Sequence, residues 1–136
     1  MADFKVVAQE ELRTIPCVIE SATVIEAGDM VNLTAGLIVK DGAAGARVAF
    51  APTGSADGET TIQVTVGNDF VLEGTSDANF AVTDKGLACD IVMNGTAQEI
   101  DIGTSSTDVF RVDISDTAGT AGSKLKVRVR INKPLF

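Results

Sequence analysis

Between Lys124 and Lys133 the chain reads Lys-Leu-Lys-Val-Arg-Val-Arg-Ile-Asn-Lys, a strict alternation of polar and apolar residues. Leu125, Val127, Val129 and Ile131 point one way; Lys124, Lys126, Arg128, Arg130 and Asn132 point the other. A period of two marks a half-buried β-strand, because successive side chains leave opposite faces of the pleat. The β-branched Val and Ile suit such a surface. A helix is excluded, since a period of 3.6 would scatter these charges round the barrel of the helix.

The same ten residues carry five of the chain's 11 Lys and Arg and no Asp or Glu. The formal net charge is −8, so the remainder carries −13. An acidic body with one basic strand implies that the basic face meets carboxylates. These belong either to neighbouring strands, with Glu99, Asp101 and Asp113 as the candidates, or to a partner. Exposed cross-strand ion pairs of this kind contribute only tenths of a kcal/mol each.

The other segments repeat the theme at shorter length. Ile62, Val64 and Val66 share a face of Thr60–Val66. Phe110, Val112 and Ile114 share one of Val109–Ile114, and Glu99-Ile100-Asp101-Ile102 alternates too. Val18-Ile19, Thr23-Val24-Ile25, Met30–Leu33, Leu37–Val39, Arg47–Phe50, Phe70–Leu72 and Phe80–Val82 read as short strands. Leu87–Met93 is mostly apolar, as a strand covered on both faces would be. Ala27-Gly28-Asp29, Ala35-Gly36, Asp41-Gly42, Gly67-Asn68-Asp69, Lys85-Gly86 and Asn94-Gly95 punctuate them as turns, Asn94-Gly95 being the strongest hairpin signal. Turns about every ten residues predict an all-β fold, a compact β-sandwich or β-barrel with little helix. Residues 1–16 are the least strand-like part. They are expected to form an N-terminal arm, with Glu10–Arg13 able to make a helical turn before Pro16 stops it. Residues 17–136 are expected to form a single β domain.

The absence of histidine removes the commonest general base and the commonest zinc ligand. There is no nucleophile elbow, no phosphate-binding loop with its lysine, and no dinucleotide fingerprint. Gly42–Ala46 lacks that lysine and a following helix. Asp57-Gly58-Glu59 and Asp113–Asp116 offer carboxylates without the twelve-residue register of an EF-hand. Gly103–Asp108 reads as a hairpin connection. Cys17 and Cys89 have no CxxC spacing and read as free thiols. The acidic balance, with a pI near 4.4, argues against nucleic acid as a partner. No apolar run has the length of a membrane span. The N-terminus lacks the pattern of a signal peptide, so synthesis in the cytoplasm is expected. The expectation is therefore a non-enzymatic protein with no cofactor and no metal.

Five stretches carry a resemblance. They are Glu26-Ala27-Gly28-Asp29-Met30-Val31, Val66-Gly67-Asn68-Asp69-Phe70, Ile100-Asp101-Ile102-Gly103-Thr104-Ser105, Asp108-Val109-Phe110-Arg111-Val112 and Val129-Arg130-Ile131-Asn132-Lys133-Pro134. Together, loosely over the chain from about Cys17, they resemble the small β-rich decoration, or cement, proteins of tailed-bacteriophage heads. The resemblance implies a virion protein on the outside of an expanded capsid, bound at inter-subunit junctions and stabilising the head. Its partners would be the major capsid protein and neighbouring copies of itself, as a dimer or trimer. On that reading the contact residues are Phe4, Lys5 and Arg13 of the arm and Lys124, Lys126, Arg128 and Arg130 of the basic strand. Another phage component, from the tail tube, baseplate or a head fibre, and a stand-alone sugar- or peptide-binding module are the alternatives.

Overall fold

The computed structural model describes residues 4–9, 13–21, 23–42, 45–55, 59–78, 80–113 and 126–136. The fold is all-β. In chain order the strands are β1 (Lys5–Gln9), β2 (Thr14–Val18), β3 (Met30–Thr34), β4 (Leu37–Lys40), β5 (Ala49–Phe50) and β6 (Thr61–Thr65). There follow β7 (Phe70–Thr75), β8 (Ala88–Asn94), β9 (Ala97–Asp101), β10 (Phe110–Val112) and β11 (Lys126–Ile131). A 3₁₀ turn, Val82–Asp84, lies between β7 and β8.

The largest sheet has the order β1-β7-β11-β10-β8-β9 and every pairing in it is antiparallel. It curls until β9 meets the end of β7. There Ser76 bridges Ile100, and Asp77 N donates to Ile100 O at 3.0 Å. β1 fills the rest of that edge of β7, from Phe70 to Glu73. The expected alternation of the basic strand is observed: Val127, Val129 and Ile131 are buried, while Lys126 and Arg130 are exposed. Inside this curled sheet lies a core built on Phe4, Phe70, Leu72, Phe80, Ile100, Phe110 and the inward residues of β11.

A second core lies in the other part of the molecule. β2 pairs with β6, and β3 stands between β4 and β5. A parallel bridge from Ile19 to Ile38 joins the two small sheets. Ile19, Ile25, Val31, Ile38, Ile62 and Val64 pack between them.

β3 and β5 are the partition between the cores. Met30 and Phe50 face the first; Val31 and Ala49 face the second. A strand with apolar chemistry on both sides loses its period of two, which is why Val48-Ala49-Phe50-Ala51 reads as an unbroken apolar run. Pro134 bridges Val48 just after β11, where the chain leaves the ladder.

Residues 4–9 and 14–16 do not form an arm. Lys5–Gln9 is a strand of the largest sheet, residues 14–16 belong to β2, and Phe4, just before β1, is 1% exposed. Its ring stacks tilted on Phe110 at 5.3 Å between centroids. Gly74 makes room for it: a Cβ there would overlap the Phe4 ring and lie 3.1 Å from Ile100 Cδ1. Pro16, expected as the end of a helical turn, lies within a strand: β2 runs through it. The bonds Ile19 N to Thr60 O (2.9 Å) and Val66 N to Arg13 O (2.8 Å) set which facing pairs exchange hydrogen bonds. The alternation makes Pro16–Gln63 a non-hydrogen-bonded pair. The missing proline N–H would have pointed away from β6, so no ladder bond is lost. The expected helical turn over Glu10–Arg13 lies largely outside the described residues. Thr23–Ile25 is irregular rather than a strand, and Val82 belongs to the 3₁₀ turn.

Two hairpins show how turn residues set register. In Asn94-Gly95-Thr96-Ala97, Asn94 pairs with Ala97, leaving Gly95 and Thr96 as the two-residue loop with Gly95 at φ 64°. Between β3 and β4, Ala35 and Gly36 both take positive φ, 51° and 82°, the requirement of a type I′ turn.

Candidate functional site

The outer face of β1-β7-β11-β10 is a lattice of charge. Register places Lys5, Glu73 and Arg128 in one row across three strands. Asp113 N donates to Arg128 O at 2.9 Å, which brings Asp113 beside the same row. The row therefore alternates in sign. Lys5 Nζ lies 3.3 Å from Glu73 Oε1, and Arg130 Nε lies 3.2 Å from Asp113 Oδ1. Of the three carboxylates expected to meet the basic strand, Asp113 does so. Glu99 and Asp101 sit on β9, at the far side of the same sheet.

The pairing is incomplete. Arg111 of β10 faces Arg130 of β11 directly, like against like. Arg111 turns its guanidinium to Gly86 O at 2.7 Å, and Lys126 donates to Thr75 Oγ1 at 3.0 Å. Lys5, Arg111, Lys126, Arg128 and Arg130 against Glu73 and Asp113 leave a formal +3 on this face of a chain whose net charge is −8. Directly opposed like charges destabilise an isolated sheet. A negative surface laid against them reverses that sign.

The expected contact residues are thus divided. Lys5, Lys126, Arg128 and Arg130 come together on this face. Phe4 is a core residue and is not available to a partner. Arg13 is exposed at the start of β2, on the other small sheet. Lys124 lies outside the described residues. Arg111 joins the face, and the alternation of Val109–Val112 already pointed it outward.

The β8–β9 side has the opposite charge. Asp90 and Asp101 face each other in register. Burial opposes ionisation of Asp90. The N–H groups of Asp108, Ser106 and Thr107, donating at 2.8 to 3.1 Å, overcome it and hold the carboxyl below the usual range. This carboxylate pins the Gly103–Asp108 connection, giving that polar stretch a structural role. Asp101 is raised instead. Burial raises it most, Asp77 adds to this, and the Thr104 hydroxyl works against it.

The two groups have opposite linkage to pH. Asp90 contributes stability that is present above the ordinary aspartate range and is lost as pH falls through its lowered value. Asp101 contributes stability present at low pH and lost as pH rises from the ordinary range through its raised value. Asp101→Asn is therefore expected to raise the melting temperature at pH 7. The gain should shrink as pH is lowered toward the ordinary aspartate range. Thermal melts of both proteins from pH 3 to 8, near and above the usual carboxylate pKa of about 3.9, measure this.

Among the described residues little else suggests chemistry. Cys17 and Cys89 are free, and burial pushes the Cys89 thiol up to about 12, leaving it protonated and inert at neutral pH. A depression of about 200 Å³ beside Leu87, Cys89, Ile102 and Val112 is mainly apolar. Among the described residues no group of three or more His, Cys, Asp or Glu is placed to hold a metal ion. Of the two loop stretches with calcium-type carboxylates, Asp57, Gly58 and residues 114–116 lie outside the described residues. Asp41, before the glycine-rich loop, accepts from Gly45 N at 3.0 Å and Asn32 Nδ2 at 2.7 Å, closing a turn.

A buried residue that the sequence reading did not single out ties the two halves together. Gln98 of β9 is 2% exposed. Its Oε1 accepts from Met30 N at 2.8 Å; its Nε2 donates to Met30 O at 2.8 Å and Asp41 O at 2.9 Å. It has the parity of Ile100 and Ile102, so the same alternation points it inward.

No protein-family model matches the chain, and no curated protein is significantly similar to it.

Proposed function

We propose that this chain is a non-enzymatic structural protein of a tailed-phage head, one that binds the outer surface of the capsid at inter-subunit junctions and stabilises the expanded shell. The observation that carries the reading is the β1-β7-β11-β10 face. It is backed by the first core and, among the described residues, holds an excess of +3 on an otherwise acidic chain. A rigid charged face suits docking, because little conformational freedom is lost when it is covered. Electrostatic complementarity then sets register and speeds encounter with an acidic shell. The five stretches from Glu26–Val31 to Val129–Pro134 add the family likeness. Many copies on one particle turn individually modest contacts into firm retention.

The test is co-sedimentation with expanded heads that lack decoration. Wild-type protein should pellet with the heads and be released as salt is raised, since exposed charge pairs are screened. Reversing Arg111 and Lys126 to Glu should weaken binding by about tenfold or more, equivalent to at least about 1.4 kcal/mol. Both side chains are exposed, so the fold should survive, and circular dichroism checks that it does. Equal binding by the double variant removes this face from the account.

A further inference from the structure

At one end of the curled sheet the inner face runs out into solvent. β8 begins there and β9 and β10 end there, set level by the pairs Asp90–Asp101 and Arg111–Ala88. Leu87, Cys89 and Ile91 share the inward parity. Cys89 and Ile91 are each 2% exposed, whereas Leu87 is 56% exposed. Ile102, which has the parity of Ile100, is half-buried. Between Leu87, Cys89, Ile102 and Val112 lies the depression of about 200 Å³. That is smaller than the roughly 300–1,000 Å³ of small-molecule sites. It is close to the roughly 150 Å³ that houses a single benzene ring. The space is right for one large apolar side chain carried by a chain lying across the opening.

The charge around it has one sign. Asp84 lines the depression, and no lysine or arginine does. Ala81 N fixes that carboxylate, donating to its Oδ2 at 2.8 Å. At the floor, burial raises the Cys89 thiol most, and Asp90, Asp101, Asp108 and Asp77 each push it further the same way. Four carboxylates acting in one sense on one floor atom make the potential there negative. Lys85 and Arg111 are next to lining residues in the chain, but Arg111 turns its guanidinium away to Gly86 O.

We infer that this depression seats one apolar side chain from a basic peptide segment of a partner protein, with the lysines or arginines beside that anchor drawn to Asp84 and the neighbouring aspartates. The apolar walls bury the anchor, and exposed Leu87 extends the contact beyond the hole. An acidic segment would have to bring its charge against the field. A hole already formed by β8, β9 and β10 costs little ordering on this side of the contact. A single anchor is the centre of such a contact, and the flanking charges choose the partner.

The site is separate from the capsid reading and is tested on the free protein. The probe is the pentapeptide Lys-Lys-Leu-Lys-Lys, acetylated and amidated, added to about 1 mM while backbone amide NMR shifts are followed. The amides of Leu87, Cys89, Ile102, Gly103 and Val112 should move and saturate. Replacing the peptide's leucine with serine, or its lysines with glutamates, should each weaken binding by about tenfold or more. Leu87→Ser should weaken it by about fivefold. Asp84→Asn should weaken it by about threefold, and it keeps an acceptor for Ala81 N, so the turn is retained. The amide spectrum of each variant reports that the fold is intact. A peptide that leaves those five amides unmoved overturns the proposal. So does equal binding of the serine peptide, which would be charge attraction alone, or of the glutamate peptide, which would be the hole alone. Unchanged affinity in both protein variants overturns it as well.

Discussion

Replacing Gln98 with leucine is expected to lower the free energy of unfolding by about 3 kcal/mol, although the volume hardly changes. Met30 N loses the acceptor that Gln98 supplies at 2.8 Å, and Asp41 O loses a donor at 2.9 Å. Both groups stay enclosed, since Met30 and Asp41 are 0% and 1% exposed. A buried donor left without a partner costs about 1–3 kcal/mol by itself. The damage falls where β9 of the curled sheet meets β3 of the partition, so the two cores should lose their mutual support. Gln98→Glu separates hydrogen bonding from packing. An ionised glutamate still accepts from Met30 N but cannot donate to Met30 O or Asp41 O. That variant should be destabilised at neutral pH and recover in part as acid protonates it. Urea unfolding at pH 7 and at pH 5 measures both. A leucine variant within about 1 kcal/mol of wild type would show that Gln98 is not the tie.

The second large effect belongs to Phe4 and Gly74. Phe4→Ala should cost about 3–5 kcal/mol, the usual loss for a fully buried phenylalanine. Gly74→Ala should cost about 1–3 kcal/mol, because the new methyl overlaps the Phe4 ring and presses on Ile100. The two should not add. With the ring gone, the methyl at position 74 has space, so the double variant should be more stable than the sum of the singles by about 1 kcal/mol or more. Additive losses would mean that the ring does not occupy the space above Gly74. A near-neutral Phe4→Ala would mean that the first strand is dispensable to the fold.

These two sites also show where reading the residues succeeds and where it stops. The basic strand was legible because one of its faces is wet: burial on a single side leaves a period of two. Val48–Ala51 was not legible as a shared wall, because burial on both sides erases the period. Phe4 was misplaced for a local reason. Its neighbours Lys5, Gln9 and Glu10 dilute the strand signal, and nothing near it announces the vacancy over Gly74, seventy residues away in sequence. Pro16 was read only as the end of a helical turn; that a strand runs through it was not legible, because its harmless ladder position depends on the partner strand. Gln98 could have been found by extending the alternation of Ile100 and Ile102 one step back. The polar character of the residue hid it.

The candidate surface was partly legible in the same way. Alternation alone pointed Lys126, Arg128 and Arg130 outward. That Glu73 and Asp113 temper them, and that Arg111 opposes Arg130, follows from strand order, which no local pattern encodes. Lys5 reached this face by a route the sequence did not suggest, as part of the sheet and not of an arm.

The claim on which the functional account rests is that this rigid, positively charged sheet face sits on the outside of a phage head. A difference map between decorated and undecorated expanded heads tests it in one measurement. The account predicts added density on the outer surface where capsid subunits meet, with β10 and β11 turned toward the shell. Density confined to the tail, density at the centres of capsid subunits, or a molecule seated with β10 and β11 facing solvent would contradict it.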